Sequence, residues 1–152
     1  MASQDLYIKN KIEKILNNGN INKLILYFDH LPIKNIRRNL SILSEIFPDK
    51  LIISDNYFDF IKYILINDKF LKVQSISSFI RAINIIKFND IQKNYLSDLI
   101  LSKINLLSKY CDFELNMLII NIFKPKDFMK RLFLYKIYLM MMQKLFIKFY
   151  FI

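Results

Sequence analysis

The sequence predicts an all-α protein built as an α-solenoid, a row of antiparallel helix pairs with a period near 40 residues. Three observations predict it. Apolar residues recur at i, i+4 and i+7 through most of the chain. One glycine and three prolines in 152 residues leave too few turn makers for a β-sandwich or barrel, which turns roughly every 8–12 residues. The helical pattern also aligns with itself. At an offset of 40, Ile36, Leu40, Ile42 and Leu43 fall on Ile76, Ile80, Ala82 and Ile83. At an offset of 39, Ile76, Phe79, Ile80 and Ile83 fall on Leu115, Leu118, Ile119 and Ile122. Two helices per such unit is the pattern of stacked helical repeats, in which each pair covers the face its neighbour leaves open. The alternative is a compact helix bundle, because any Ile-rich all-α chain aligns its helices without a true repeat.

The elements follow in order. Residues 5–17 place Ile8, Ile12, Ile15 and Leu16 on one face, and NNGN at 17–20 stops that helix, with Gly19 as a left-handed C-cap. A short second helix covers 21–29. His30-Leu31-Pro32 ends it, since the residue before proline is pushed out of the α region. Residues 33–47 carry Ile36, Leu40, Leu43 and Phe47 at helical spacing up to Pro48. Ser54-Asp55-Asn56 can cap a helix at 57–67, and Asn67-Asp68-Lys69 breaks it. The next helix starts at Gln74 or Ser75 and runs to KFND at 87–90. Residues 92–108 form the second helix of that unit, as 57–67 does in the unit before, and 113–123 form a further helix, closed by Lys124-Pro125. Three parts result: N-terminal cap helices at 1–30, a helical-repeat array at 31–123, and a basic, apolar C-terminal helix at 124–152.

Hydrophobic residues make up 54% and charged residues 24% of the chain, a composition that folds rather than stays disordered. The Ile, Lys and Asn bias is that of an AT-rich coding sequence. The net charge of +10 is uneven. Residues 124–152 hold seven basic side chains against Asp127, a balance of +6, which leaves +4 on the first 123. A basic surface suits RNA or acidic lipid; solubility alone is the plainer account.

Catalytic patterns are missing. Glycine-rich phosphate loops, HExxH and GxSxG do not occur, and the carboxylates are scattered among lysines. Cys111 is alone, far in sequence from the single histidine, and reads as a buried inert thiol. His30 reads as a loop histidine with no metal or catalytic role. No enzyme activity, cofactor or small-molecule substrate is expected. The N-terminal MASQDLYIKNKIEKIL lacks a charge-free apolar core, so no secretory signal is expected.

The segment 128–152 is apolar but interrupted by Lys136, Lys144 and Lys148, and its longest uncharged internal run is 137–143. A membrane span needs about 20 apolar residues, and a mid-span lysine costs ~2.5–3.5 kcal/mol, so no span is expected. On a helical wheel Lys130, Lys136, Lys144 and Lys148 share one face and Arg131 falls off it. Arg131, Lys136, Lys144 and Lys148 are therefore candidates for contact with a partner or a membrane surface. A last helix packed on the array, or a segment buried in a larger complex, is the preferred reading over a basic amphipathic helix on acidic membrane or RNA, because a lone exposed patch of that size would aggregate.

SSFIRAINIIKFND, followed by YLSDLILSKINLLSKYCDFELNMLIINIF, resembles the heptatricopeptide-type helical repeats of RAP-domain and FAST-kinase-like organellar RNA-binding proteins. The match is best at residues 80–88 with Asp90, restarts at 118–123 and is looser at 40–44; it covers about 33–123. The RAP domain that follows such repeats is not recognisable here. The resemblance implies a partner RNA, ribosomal RNA in the first instance, proteins of a larger assembly, and a mitochondrial, ribosome-associated setting. Superposing the units puts Asn35, Arg38 and Ser41 on Ser75, Ser78 and Arg81. Lys34, Asn35, Arg37, Arg38, Ser78, Arg81 and Lys87 are thus the RNA-binding candidates. Guanidinium groups fork onto phosphate or stack on bases, and short polar side chains read base edges. The column does not continue, because Ile120 falls where Arg81 stood, and a solvated helix face is the plainer account. The alternative function is a protein-interaction module such as a viral Bcl-2-like helix bundle with a hydrophobic C-terminus, acting in the cytoplasm of an infected host cell. That fold carries a Gly-Arg step in its groove, whereas here the only glycine, Gly19, is followed by Asn20.

Overall fold

The computed structural model describes residues 2–46 and 56–122, with positions 136, 139, 140, 143, 144 and 148 beyond them. The described residues are all-α: eight helices and no strand. The helices are α1 (Ala2–Asn17), α2 (Ile21–Asp29), α3 (Ile33–Ile46), α4 (Tyr57–Ile66), α5 (Asp68–Leu71), α6 (Ile76–Ile83), α7 (Asp90–Leu107) and α8 (Asp112–Ile122).

Local chemistry sets most of the boundaries. Gly19 is left-handed at φ 66°, where a side chain would clash with its own carbonyl, and its amide closes α1 on the Leu16 carbonyl at 2.9 Å. Asn20 then caps α2, its side chain accepting from the Lys23 amide. Asn89 and Gln92 form a reciprocal capping box at the start of α7. Asn56 precedes α4 but its side chain makes no capping bond; Phe47, Pro48, Ser54 and Asp55 lie outside the described residues.

Two expectations need correction. Asn67 does break α4, in extended backbone at ψ 113°, but the chain restarts at once as α5. This single turn is too short to show a period, yet it buries Phe70 and Leu71 completely. The helix expected to run to residue 87 ends at Ile83. Beyond a turn at Asn84, Ile86 and Phe88 are buried, with the Phe88 ring 5.9 Å from Phe58. Lys87 therefore sits exposed in the connection between α6 and α7 rather than on a helix.

The helices have a definite neighbour order. Helix α3 packs against both α1 and α6, and α6 against both α3 and α8. Helix α4 packs against both α2 and α7. Contacts of α1 with α2 and of α7 with α8 join the two sets, and α5 touches α3, α4 and α7. At the centre lie four phenylalanines with no exposed surface: Phe28 of α2, Phe60 of α4, Phe70 of α5 and Phe79 of α6. Their rings meet edge-on, Phe28 to Phe60 at 5.5 Å, Phe28 to Phe70 at 6.2 Å and Phe60 to Phe79 at 6.3 Å, the geometry that aligns a positive ring edge with a negative face. Helix α8 buries Leu115, Leu118, Ile119 and Ile122 but leaves Phe113, Met117 and Ile120 exposed on its other side.

Most polar tethers between elements join residues 33 to 40 apart, the Tyr27–Asn39 bond at a separation of 12 being an exception. Arg38 to Gln4 spans 34 residues, Tyr63 to Asp29 34, Arg81 to Glu114 33, Lys103 to Asp68 35, Asn121 to Asn84 37 and Lys69 to Asp29 40. In the Asp29 cluster, the Tyr63 hydroxyl donates to the carboxylate at 2.8 Å. That bond, then the nearby Lys69 charge, hold Asp29 below the usual carboxylate range. Burial and the same carboxylate push Tyr63 well above its ordinary value near 10.

Phe60→Ala, which removes the ring joining α2, α4 and α6, is expected to cost about 3–5 kcal/mol, read as a lowered urea midpoint. A second expectation concerns alkaline pH. Tyr63 stays protonated in the folded chain at pH values where an unfolded tyrosine ionises. Its stabilisation is complete below about pH 10 and lost above it. Urea midpoints should hold from pH 8 to about pH 9.5 and fall as the pH rises past about 10, and fall less in Tyr63→Phe.

Candidate nucleic-acid interface

Helices α1, α3 and the start of α6 enclose an open groove of about 1010 Å³. One wall is the first three turns of α1, which turns Ile8 and Ile12 into the core and leaves Gln4, Tyr7 and Lys11 on the groove. The floor is α3, which buries Ile36, Leu40 and Leu43 completely and offers Lys34, Asn35, Arg37, Arg38 and Ser41 to the groove. The far wall is residues 74–78, where Ser75 and Ser78 face the same space.

Five of the seven RNA-binding candidates thus meet in one place: Lys34, Asn35, Arg37, Arg38 and Ser78. Arg81 and Lys87 do not line it. Arg81 pairs instead with Glu114 of α8 at 3.0 Å, so the expected column of Arg38, Ser41, Ser78 and Arg81 stops one position short. Sequence spacing could not show that the Glu114 carboxylate lies opposite Arg81. Of the C-terminal candidates, Lys136, Lys144 and Lys148 are helical and exposed, and Arg131 lies outside the described residues. Among the described residues no helix is long and apolar enough to cross a membrane.

The basic groups of the groove differ in how they are held. Arg38 is anchored: its Nη1 donates to Gln4 Oε1 at 2.7 Å, and its Nε lies 3.4 Å from Asp5 Oδ1, at ion-pair distance without hydrogen-bond alignment. Arg37 is exposed and only loosely engaged, its Nη2 donating to Gln74 Oε1 at 3.4 Å. Lys34 is exposed and lines the groove. The Lys11 ammonium sits 5.3 Å from the Tyr27 ring and 6.0 Å from the Tyr7 ring, a cation–π arrangement. Four cations against the carboxylates of Asp5 and Glu45 leave the lining at +2.

Tyr27 and Asn39 fix the groove's inner edge. The Tyr27 hydroxyl donates to Asn39 Oδ1, and Asn39 Nδ2 donates to the Asn35 carbonyl at 2.9 Å. Asn39 is only 3% exposed, so this chain of bonds satisfies a polar side chain that would otherwise be stranded in the core. Burial, then the neighbouring Tyr7, push the Tyr27 hydroxyl above its ordinary value.

Gln4, Tyr7, Lys11 and Tyr27 were missed because residues 1–30 read as a cap. The signal was present in α1 as a second stripe, Gln4, Tyr7 and Lys11, one step round from Ile8 and Ile12. His30 bonds through Nδ1 to the Leu26 carbonyl at 2.8 Å, a helix-end role. Cys111 is buried, with its thiol donating to the Leu107 carbonyl. No group of three or more His, Cys, Asp or Glu side chains suited to a metal ion occurs among the described residues.

No protein-family model, curated protein or solved structure matches this chain.

Removing the Tyr27 hydroxyl strands Asn39 Oδ1 in a buried place, which costs about 1–3 kcal/mol. Tyr27→Phe should lower the urea midpoint accordingly. Tyr7→Phe, on a side chain 66% exposed, should stay within about 0.5 kcal/mol of the parent.

Proposed function

We propose that this chain is a short helical-repeat protein that binds single-stranded RNA in the groove between α1, α3 and α6. The observation that carries the reading is the convergence, in one groove, of Lys34, Asn35, Arg37, Arg38 and Ser78 with the aromatic rings of Tyr7 and Tyr27. Cations neutralise phosphates and supply affinity, exposed rings stack unpaired bases, and short polar side chains bond base edges. In this scheme Lys34 and Arg37 meet phosphates. Tyr7, with Lys11 beside it, is the stacking platform. Asn35, Ser41 and Ser78 face the bases. A groove of about 1010 Å³ takes a few nucleotides of single strand, not a duplex.

The solenoid form belongs to the same proposal. It is supported by the neighbour order α1, α3, α6, α8 beside α2, α4, α7, and by tethers that join residues 33 to 40 apart. In stacked repeats each unit touches only the next; a bundle around a central hairpin has no reason to keep one sequence distance. The setting implied by the resemblance, a mitochondrial ribosome-associated assembly with ribosomal RNA and protein partners, is part of the proposal, with the exposed Lys136, Lys144 and Lys148 available to those partners. No turnover of a small molecule is proposed.

Fluorescence anisotropy with a labelled 12-nucleotide single-stranded RNA tests the reading. Affinity should fall steeply between 50 and 200 mM salt. Lys34→Gln with Arg37→Gln should weaken binding at low salt and flatten the log–log salt slope by about 1.4, the share of two single-strand phosphate contacts. Tyr7→Ala should weaken binding about tenfold with the slope unchanged. Salt-independent affinity, or groove variants that bind like the parent, would overturn it.

A further inference from the structure

We infer that the amino end of α6 is a phosphate-binding subsite, built from Ser75, Ser77, Ser78 and Arg37. The inference rests on the RNA-binding reading for the source of the phosphate, a backbone phosphodiester, but the site itself is argued from independent features.

The first is the cap that is not made. Ser75 occupies the N-cap position of α6, where a serine usually adopts extended backbone and accepts from an amide of the first turn. Here it is helical, φ −68° and ψ −5°, and its side chain makes no capping bond. The second is the fate of that hydroxyl. Ser75 is 7% exposed, its Oγ has no hydrogen-bond partner, and the residue lines the groove. A buried hydroxyl without a partner is rare in folded chains, and a ligand that completes it is one of the accepted reasons. The third is charge. No acidic side chain lies in the first turn of α6; the Ile76 and Ser77 amides already donate to the Val73 and Gln74 carbonyls, so what favours an anion here is the helix dipole with no carboxylate to oppose it.

The surroundings fit a tetrahedral oxyanion. Ser77 and Ser78 line the groove on the first turn of the same helix, beside Ser75. The Ser77 hydroxyl currently donates to the Gln74 carbonyl at 3.0 Å. Arg37 reaches across from α3 to Gln74, the residue before Ser75, through a bond already at the long limit of 3.4 Å. A small rotation trades this neutral acceptor for a charged one, the stronger partner for guanidinium. Lys34 lines the same groove one turn earlier on α3. Of the groove's two carboxylates, Asp5 is held by Arg38 and Glu45 lies at the far end of α3. Three hydroxyls and a guanidinium suit a phosphate, with its several acceptor oxygens, better than a planar carboxylate.

The test uses the full chain and inorganic phosphate, followed by amide NMR at constant ionic strength with chloride as reference. Saturable shifts confined to residues 75–79 are expected. Ser75→Ala should weaken phosphate binding at least threefold without lowering the thermal midpoint, because it removes a hydroxyl that has no partner in the free protein. Arg37→Gln should weaken it similarly. Single-stranded RNA should compete with phosphate and lose at least threefold in affinity in both variants. Shifts that scatter, match chloride or persist in Ser75→Ala would overturn the subsite. RNA affinity untouched in Ser75→Ala but weakened in Arg37→Gln would also overturn it while leaving the groove reading intact. Phosphate bound at 75–79 with no RNA binding would keep the subsite, assign it to free phosphate or a phosphate monoester, and remove the groove reading.

Discussion

The edge-on contact of Phe60 with Phe28 and Phe79 is the constraint on which the rest of the structure depends. It is the point where α2, α4 and α6 meet, and Phe70 ties the single turn of α5 to the same cluster. These rings are fully buried, and their interlocking geometry penalises sliding as well as separation. The groove inherits that rigidity. Ser75–Ser78 lie immediately before Phe79, and Ile76, between them, has no exposed surface. The far wall of the groove is therefore set by the core, and a functional side chain on a packed helix end is held more closely than one on a free loop.

The polar tethers do a different job. Each is at least partly exposed, so each contributes little to stability on its own. What they specify is register. Arg38 reaches back from α3 to α1, Arg81 forward from α6 to α8, and Lys103 from α7 to α5. An apolar interface of Ile and Leu tolerates a one-turn slip, because such residues replace one another with little penalty. A guanidinium opposite a glutamine or carboxylate does not. In a chain whose core is dominated by isoleucine, this placement of charge distinguishes the native stacking from its near neighbours.

Much of the fold was legible in the sequence because isoleucine at i, i+4 and i+7 has one physical meaning in an all-α chain: a helix face that must be covered. Gly19 and the break at Asn67 were legible for similar reasons, through backbone geometry and side-chain competition with helix. Helix α5 was not, since four residues cannot display a 3.6-residue period. The early end of α6 was hidden because Ile86 continues the apolar face; what stops the helix is the tertiary burial of Phe88 against Phe58. The candidate site was half legible. Spacing put Lys34, Asn35, Arg37, Arg38 and Ser78 on facing helices. It could not reveal that α1 contributes Tyr7 and Lys11, nor that Glu114 takes Arg81, nor that the Ser75 hydroxyl has nothing to bond, because all three depend on which helix lies opposite.

The distribution of charge separates attraction from recognition. The whole chain carries +10, of which residues 124–152 hold +6, while the groove lining holds +2. Charges more than about 8 Å from a ligand are largely screened at physiological salt, so most of the net charge acts on the rate at which a polyanion arrives rather than on what keeps it there. Any polyanion is drawn equally by that field. Retention falls to groups within hydrogen-bond reach, and in the groove these are unequal by construction. Arg38 is committed to Gln4 and Asp5 and serves as a wall. Arg37 and Lys34 are the cations left with freedom to engage a ligand. A single-stranded RNA differs from other polyanions in offering unpaired rings, and on the proposed reading Tyr7 beside Lys11 is the feature of the groove that would answer that difference. On the proposed RNA-binding reading, the basic surface gathers anions, and the exposed Arg37 guanidinium together with the exposed Tyr7 ring decides which of them stays.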